Sequence, residues 1–180
     1  MAITTISSLK AAIATGARSN LFEVTMSTDT AFDGQEESFS FLCKGAQLPG
    51  STVGLIEVPF QAGRRYKLAG DRTFTEWTTT IINDSGQKIR QALENLQKTY
   101  GVTNYDSDVA KERFGSADTE FNTLTVIQHD LAGNATYQYE LINCWPTDIS
   151  TIDLSYDSTD TIEEFTVTWA YDYFNFEKLS

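Results

Sequence analysis

The chain is 180 residues long, 20.1 kDa, and carries 13 Lys and Arg against 25 Asp and Glu, a formal charge of −12. That length suits one domain burying roughly 70% of its unfolded surface around one core, and a body this acidic repels phosphate backbones and anionic membranes, which argues against sequence-specific DNA binding. The longest run without a charged residue is the 12 positions from Gly45 to Ile56, short of the ~20 apolar residues a membrane helix needs.

Met1 to Ile6 lacks a basic stretch followed by a sustained apolar one, so no secretory signal is read and a cytoplasmic start is expected. Ile6, Leu9 and Ile13 suggest a short amphipathic helix ending before Gly16. Period-2 alternation then dominates. Asn20 to Ser27 reads as a strand with Phe22, Val24 and Met26 on one side. Glu37 to Lys44 reads as a second, with Phe39, Phe41 and Cys43, and Asp33-Gly34 between them suggests that the two pair.

The segment from Lys44 to Asp71 is long for a connection, at 28 residues, and holds five glycines and two of the three prolines. Loops of that length are usually functional. Val53 to Phe60 is apolar enough to form a strand or to dock on a partner, and the basic residues Arg64, Arg65 and Lys67 follow directly. A projecting arm is the expected form, with a wide-tipped β-hairpin as the alternative. Gly45-x4-Gly50 with Ser51-Thr52 imitates a phosphate loop, but Ser51 stands where the Lys belongs, so a turn-rich loop is expected.

Thr73 to Ile82 reads as a strand with Trp77, Thr79 and Ile81 alternating. A helix over 84–100 follows, capped by Asp84 or Ser85, with Ile89, Ala92, Leu93 and Leu96 on its buried face and Gly101 as its stop. Beyond the polar stretch Asn104 to Glu120, Phe121 to Gln128 and Thr136 to Cys144 form a hairpin across Ala132-Gly133-Asn134. Ser150 to Ser155 and Glu163 to Phe174 supply two more strands, the latter with Phe165, Val167, Trp169, Tyr171 and Tyr173 on one face.

Sites of chemistry are sparse. Asp153, Ser155, Asp157 and Glu164 occupy calcium-loop positions, but Ser158 replaces the required Gly and strands flank the window, so no metal is expected. His129 is the only histidine and has no G-x-S-x-G elbow to serve. Glu163 and Glu164 are adjacent on a strand and point to opposite faces, so they cannot flank one glycosidic bond. Cys43 and Cys144 lie 101 residues apart in no metal spacing and read as buried thiols. No enzyme activity and no cofactor are expected. The 22 aromatic residues, including Tyr66, Tyr100, Tyr105 and the Tyr171 to Phe176 run, exceed the needs of a small sandwich and point to protein contacts.

Charge is also uneven. Residues 1–90 hold 9 basic and 9 acidic side chains, and residues 91–180 hold 4 and 16. One basic loop on an acidic body suits contact with an acidic neighbour, such as another copy of the chain.

Several segments in order carry a resemblance: Arg18-Ser19-Asn20-Leu21-Phe22, Cys43-Lys44 with Leu48-Pro49, Ala69-Gly70-Asp71-Arg72-Thr73-Phe74 with Trp77-Thr78, Asn83-Asp84, Trp145-Pro146-Thr147, and Phe165-x-Val167-Thr168 with Asp172-Tyr173. Over roughly residues 18–177 the chain resembles the major tail tube proteins of contractile-tailed bacteriophages. Residues 1–17 and about 100–120 match the pattern poorly.

The resemblance implies a mainly β fold, a barrel or sandwich of two packed sheets with one flanking helix, of the tail tube and Hcp type. The whole chain, 1–180, would be one tail-tube domain with an N-terminal arm (1–17), an inter-subunit loop (44–71) and the helix. It also implies six copies per ring, rings stacked into a virion tube inside a contractile sheath, and assembly in the host cytoplasm. The implied partners are the chain itself, the sheath protein, baseplate and terminator proteins, a tape-measure protein in the lumen, and double-stranded DNA in transit. Contact candidates on the loop are Leu48, Pro49, Val53, Ile56 and Phe60, then Arg64, Arg65, Tyr66 and Lys67, with Asp71 and Arg72 holding its base. Other readings are a tail-like particle or type VI secretion tube, a monomeric β-sandwich binding module, and an acidic hydrolase.

Overall fold

The first alternating segment forms β1 (Phe22–Ser27), with Val24 and Met26 buried as the pattern requires. A computed structural model describes residues 6, 10, 16–27, 34–100 and 122–179. The expected N-terminal helix lies largely outside those residues, its end included; Ile6 and Lys10 are helical and exposed. Gly101 and the stretch 104–120 lie outside them too.

The second expected strand is a correction. Residues Glu36–Leu42 form a helix, α1, and only Cys43–Ala46 continue as β2. Three alternating apolar residues do not distinguish the two periods. Glu36 and Glu37 suit a helix N-terminus, and the helix carries Phe39 into the core, edge-on to Trp169 at 6.1 Å, while Phe41 is left in solvent. β1 therefore does not pair with this segment. It pairs antiparallel with β6 (Asn122–His129), and β2 pairs with β5 (Trp77–Ile82).

The long segment forms β3 (Ser51–Pro59) and β4 (Arg65–Phe74), a hairpin joined by a turn at Gln61–Gly63. The arm and the hairpin are thus one object. Ala62 and Gly63 take φ of 63° and 74° at its tip. Midway, the register shifts where Gly54 and Gly70 meet: a Cβ on Gly70 would lie 3.1 Å from the Gly54 carbonyl, a tight approach that favours glycine at the bulge.

The expected strand 73–82 splits, since β4 ends at Phe74 and β5 begins at Trp77. The helix α2 (Lys88–Tyr100) follows, with Ile89, Ala92, Leu93 and Leu96 buried. Its cap is Asp84: Oδ1 accepts from the Lys88 amide at 2.9 Å and Oδ2 from Gly86 at 3.2 Å. Among the described residues two helices, α1 and α2, flank the sheets, where the sequence led to one flanking helix beside a short N-terminal one.

β6 and β7 (Ala135–Ile149) form the expected hairpin. Asp130 Oδ1 ties its turn, accepting from the amides of Ala132 and Asn134 at 2.8 and 2.9 Å. These bonds, led by those from Asn134, hold the Asp130 carboxyl below its ordinary pKa. Residues 150–155 form no strand. The single aromatic strand expected over 163–174 is two, β8 (Glu164–Ala170) and β9 (Tyr173–Lys178).

Long strand β7 explains that break. Its first half pairs with β6 and β9, and its second half, from Trp145, pairs with β8. At the corner Asn143 takes φ of 58° and donates to Asp172 at 2.6 Å, and the Asp172 amide donates to the Ile142 carbonyl. Both chains must turn together, so Tyr171 stays inside while Tyr173 emerges.

Two four-stranded layers result: β1-β6-β7-β9, and β7-β8-β5-β2. The core between them includes Val24, Leu124, Leu141, Phe165, Val167, Trp77 and Trp169. Both buried indoles are satisfied, Trp77 donating to the Gln47 carbonyl and Trp169 to Thr79 Oγ1 at 3.0 Å. Cys43 and Cys144 are buried free thiols, each pushed up to about 12 by burial.

Candidate assembly interface

Three features are incomplete among the described residues of the chain. The first is the arm. Every residue of β3 is exposed, and β3 and β4 pack mainly on each other. An isolated two-stranded hairpin is marginal in water, so its order at the root needs an anchor. Arg72 provides one, its guanidinium 4.8 Å from the Phe74 ring and 4.9 Å from the Phe174 ring. Phe74 also meets Tyr171 and Phe174 edge-on or tilted.

Strand register gives the arm two chemically different faces. Ile56 opposes Leu68 and Val58 opposes Tyr66 on one, while Glu57 opposes Lys67 and Pro59 opposes Arg65 on the other. Arg65 pairs with Glu57 at 2.5 Å. Phe60 and Arg64 stand at the exposed tip, Val53 opposes Arg72 near the base, and Asp71 is exposed at the bulge beside Gly54. Leu48 is exposed and Pro49 half-buried in the approach to the arm. All eleven expected contact residues thus lie on or beside one projecting ribbon. Val58 and Leu68, which complete its apolar face, were not among them. Alternation of Tyr66 with Leu68 was the available signal, masked by the neighbouring basic residues.

The second feature is the layer β1-β6-β7-β9, whose outer strands β1 and β9 each have one neighbour among the described residues. Its inner face supplies the core. Its open face carries cross-strand rows: Glu23, Ile127, Gln138 and Glu177 in one, and Thr25, Thr125, Glu140 and Asn175 in the next. Gln138 donates to Glu140 at 2.7 Å, and Glu23 lies 3.5 Å from His129 Nε2. The rows hold three carboxylates and no Lys or Arg. At the β9 edge Tyr137 stacks on Phe176 at 5.5 Å, and both rings are substantially exposed.

The third is the connection between β7 and β8, where Leu154, Tyr156 and Ile162 are exposed around an open cavity of about 780 Å³. The calcium-like window falls here. Glu163 accepts from Asn83 at 2.8 Å and Glu164 from Lys44 at 2.6 Å, so two of its acids are already engaged. Among the described residues no group of three or more His, Cys, Asp or Glu side chains is arranged to hold a metal, and no helix is long and apolar enough to cross a membrane.

A β-sandwich with unfinished sheet edges and an unburied arm describes a protein built to be completed by further protein chains. The phage tail tube protein family matches residues 17–177 of the chain, which belongs to that family. The tail tube protein gp19 of Enterobacteria phage T4 is 33% identical over 159 residues, covering 87% of this chain and 90% of that protein. The fold is also that of a chain in the PVC sheath-tube complex of an extracellular contractile injection system, at TM-score 0.62 and 15% identity over 97% of this chain and all of that one. A chain of the six-fold symmetrised anti-feeding prophage baseplate matches at TM-score 0.64 and 11% identity, covering 91% of this chain and 97% of that one.

Proposed function

We propose that six copies of this phage tail tube protein close into a ring, that rings stack inside a contractile sheath, and that the bore conducts double-stranded DNA during ejection. One observation carries the reading: among the described residues the four-stranded layer ends in two strands, β1 and β9, that have no second neighbour. Joining β9 of one copy to β1 of the next continues the sheet and removes both edges, and a head-to-tail contact of this kind closes into a ring. The open face then lines the bore. Its rows of Glu23, Glu140 and Glu177 repel phosphate, where Lys or Arg would release counterions and hold the DNA.

The subunit is structural and not catalytic in this reading, one tail-tube domain over 1–180 with arms at 1–17 and 44–71 and the helix Lys88–Tyr100, whose start is four residues later than the expected 84. Sheath, baseplate, terminator and tape-measure proteins are its partners, the virion its destination and the host cytoplasm its place of assembly. Cryo-EM of the purified protein over a concentration series tests it. Six-fold rings or rods with the β1-β6-β7-β9 layer facing the bore are expected. Solitary 20.1 kDa particles at every concentration, or a bore lined by guanidinium groups, would overturn it.

A further inference from the structure

The two outer strands of the β1-β6-β7-β9 layer are held in unlike ways. β1 turns Val24 and Met26 into the core, and both are buried. β9 has one ladder among the described residues, to β7, and of its six residues only Phe174 is half-buried while the other five are exposed. Its seat on the body rests chiefly on that one ring.

Phe174 touches Tyr139 of β7, ring centroids 6.0 Å apart, and its other aromatic and cationic partners among the described residues come from the root of the arm: the Phe74 ring, edge-on at 5.5 Å, and the Arg72 guanidinium at 4.9 Å. The same guanidinium stands 4.8 Å from the Phe74 ring. One cation thus bridges two rings, one on the arm and one on the edge strand. Each of those elements is marginal by itself, a hairpin packed mainly on its own strands and a strand laddered on one side. A contact that they share makes the order of each lower the entropic cost of ordering the other, and the effect is reciprocal.

We propose that Arg72 is a positioning residue that couples the arm to the β9 edge. Fixing the arm holds Arg72 over Phe174 and so holds β9 in line to be joined, and joining β9 to a second copy holds Phe174 and so firms the root of the arm. The consequence for assembly rests on the tube reading: contacts made by the arm and closure at the β9 edge favour one another, although neither surface touches the other's partner. β1, three ladder steps away across β7 and β6, has its own buried anchors, so the coupling is confined to one of the two edges.

Amide exchange followed by mass spectrometry on the free full-length chain tests it in three segments, 50–75, 173–178 and 22–27. Arg72→Ala is expected to speed exchange about fivefold in both 50–75 and 173–178, the scale of two surface cation–π contacts, and to leave 22–27 unchanged. Arg72→Lys, which keeps the charge, should recover part of the protection in both affected segments. Arg72→Gln, which keeps a planar polar group without the charge, should not. Acceleration confined to 50–75 overturns the inference, because β9 then does not feel the arm. Acceleration spread equally to 22–27 overturns it too, because the whole fold has then loosened, and so does equal protection in the Lys and Gln variants. None of these results needs assembly, so each leaves the tube reading standing, whereas a wild-type chain that forms no rings at any concentration overturns the tube reading and leaves the exchange pattern intact.

Discussion

Trp169 and Tyr66 are both large aromatic residues on β-strands, and they stand in opposite circumstances. Trp169 is buried, with Phe39 edge-on to its ring and Thr79 accepting from its indole. Tyr66 lies across from Val58 on a ribbon that touches little but itself. The sandwich body buries its apolar surface within the chain. The arm carries apolar side chains that the described residues leave exposed. Stability of the fold and capacity to assemble are therefore separable, and substitutions can break one without the other.

The largest effect belongs in the body. Trp169→Ala removes a fully buried ring and leaves a cavity, and is expected to cost about 3–5 kcal/mol in a denaturant titration of the monomer. A normal midpoint for this variant would remove Trp169 from the core.

Alkaline pH acts on the body next. Burial raises both thiols from 9.0 to about 12 in the folded state. The unfolded chain therefore loses those protons first, binds fewer than the folded chain above pH 9, and gains relative stability as pH rises. Unfolding free energy should fall between pH 9 and about 12, and a Cys43→Ala, Cys144→Ala double variant should show a shallower decline. Equal slopes would contradict the buried thiols.

The root of the arm comes third. Arg72→Ala removes two cation–π contacts, each worth about 0.5–1 kcal/mol at an exposed site. Monomer stability should drop by little, while limited proteolysis between residues 50 and 75 accelerates. Unchanged cleavage would show that the anchor lies elsewhere.

Smallest for the monomer is the arm face itself. Ile56→Ser with Leu68→Ser should leave the unfolding midpoint within about 0.5 kcal/mol of wild type, as exposed substitutions do, yet abolish rods. A variant that unfolds early would mean the face is buried within its own chain.

How far the sequence reached follows the same division. β1, β5, α2 and the β6–β7 hairpin were legible because each has one wet face and one dry face, which writes its period directly into the residue order. α1 was not, because its place is decided by Phe39 meeting Trp169, 130 positions away. Nor was the break at Asp172, which exists because β7 changes partners at Asn143. The arm's residues were found from their composition, whereas its apolar face needed the Gly54–Gly70 bulge and the pairing it sets. Leu154 fell inside the expected strand Ser150 to Ser155, which does not form, since nothing local tells an outward Leu from an inward one.

By itself, then, the order of residues determined the local periods, the capped helix, the acidic balance and the family pattern over most of the chain. Those depend on neighbours within a few positions, or on motifs that survive as strings. Only the tertiary structure decided which strands pair, which edges are left open, and that one face of the β1-β6-β7-β9 layer carries carboxylates without Lys or Arg. Register does this: a shift of one residue exchanges the two faces of a strand, and register is set by partners far away in the chain.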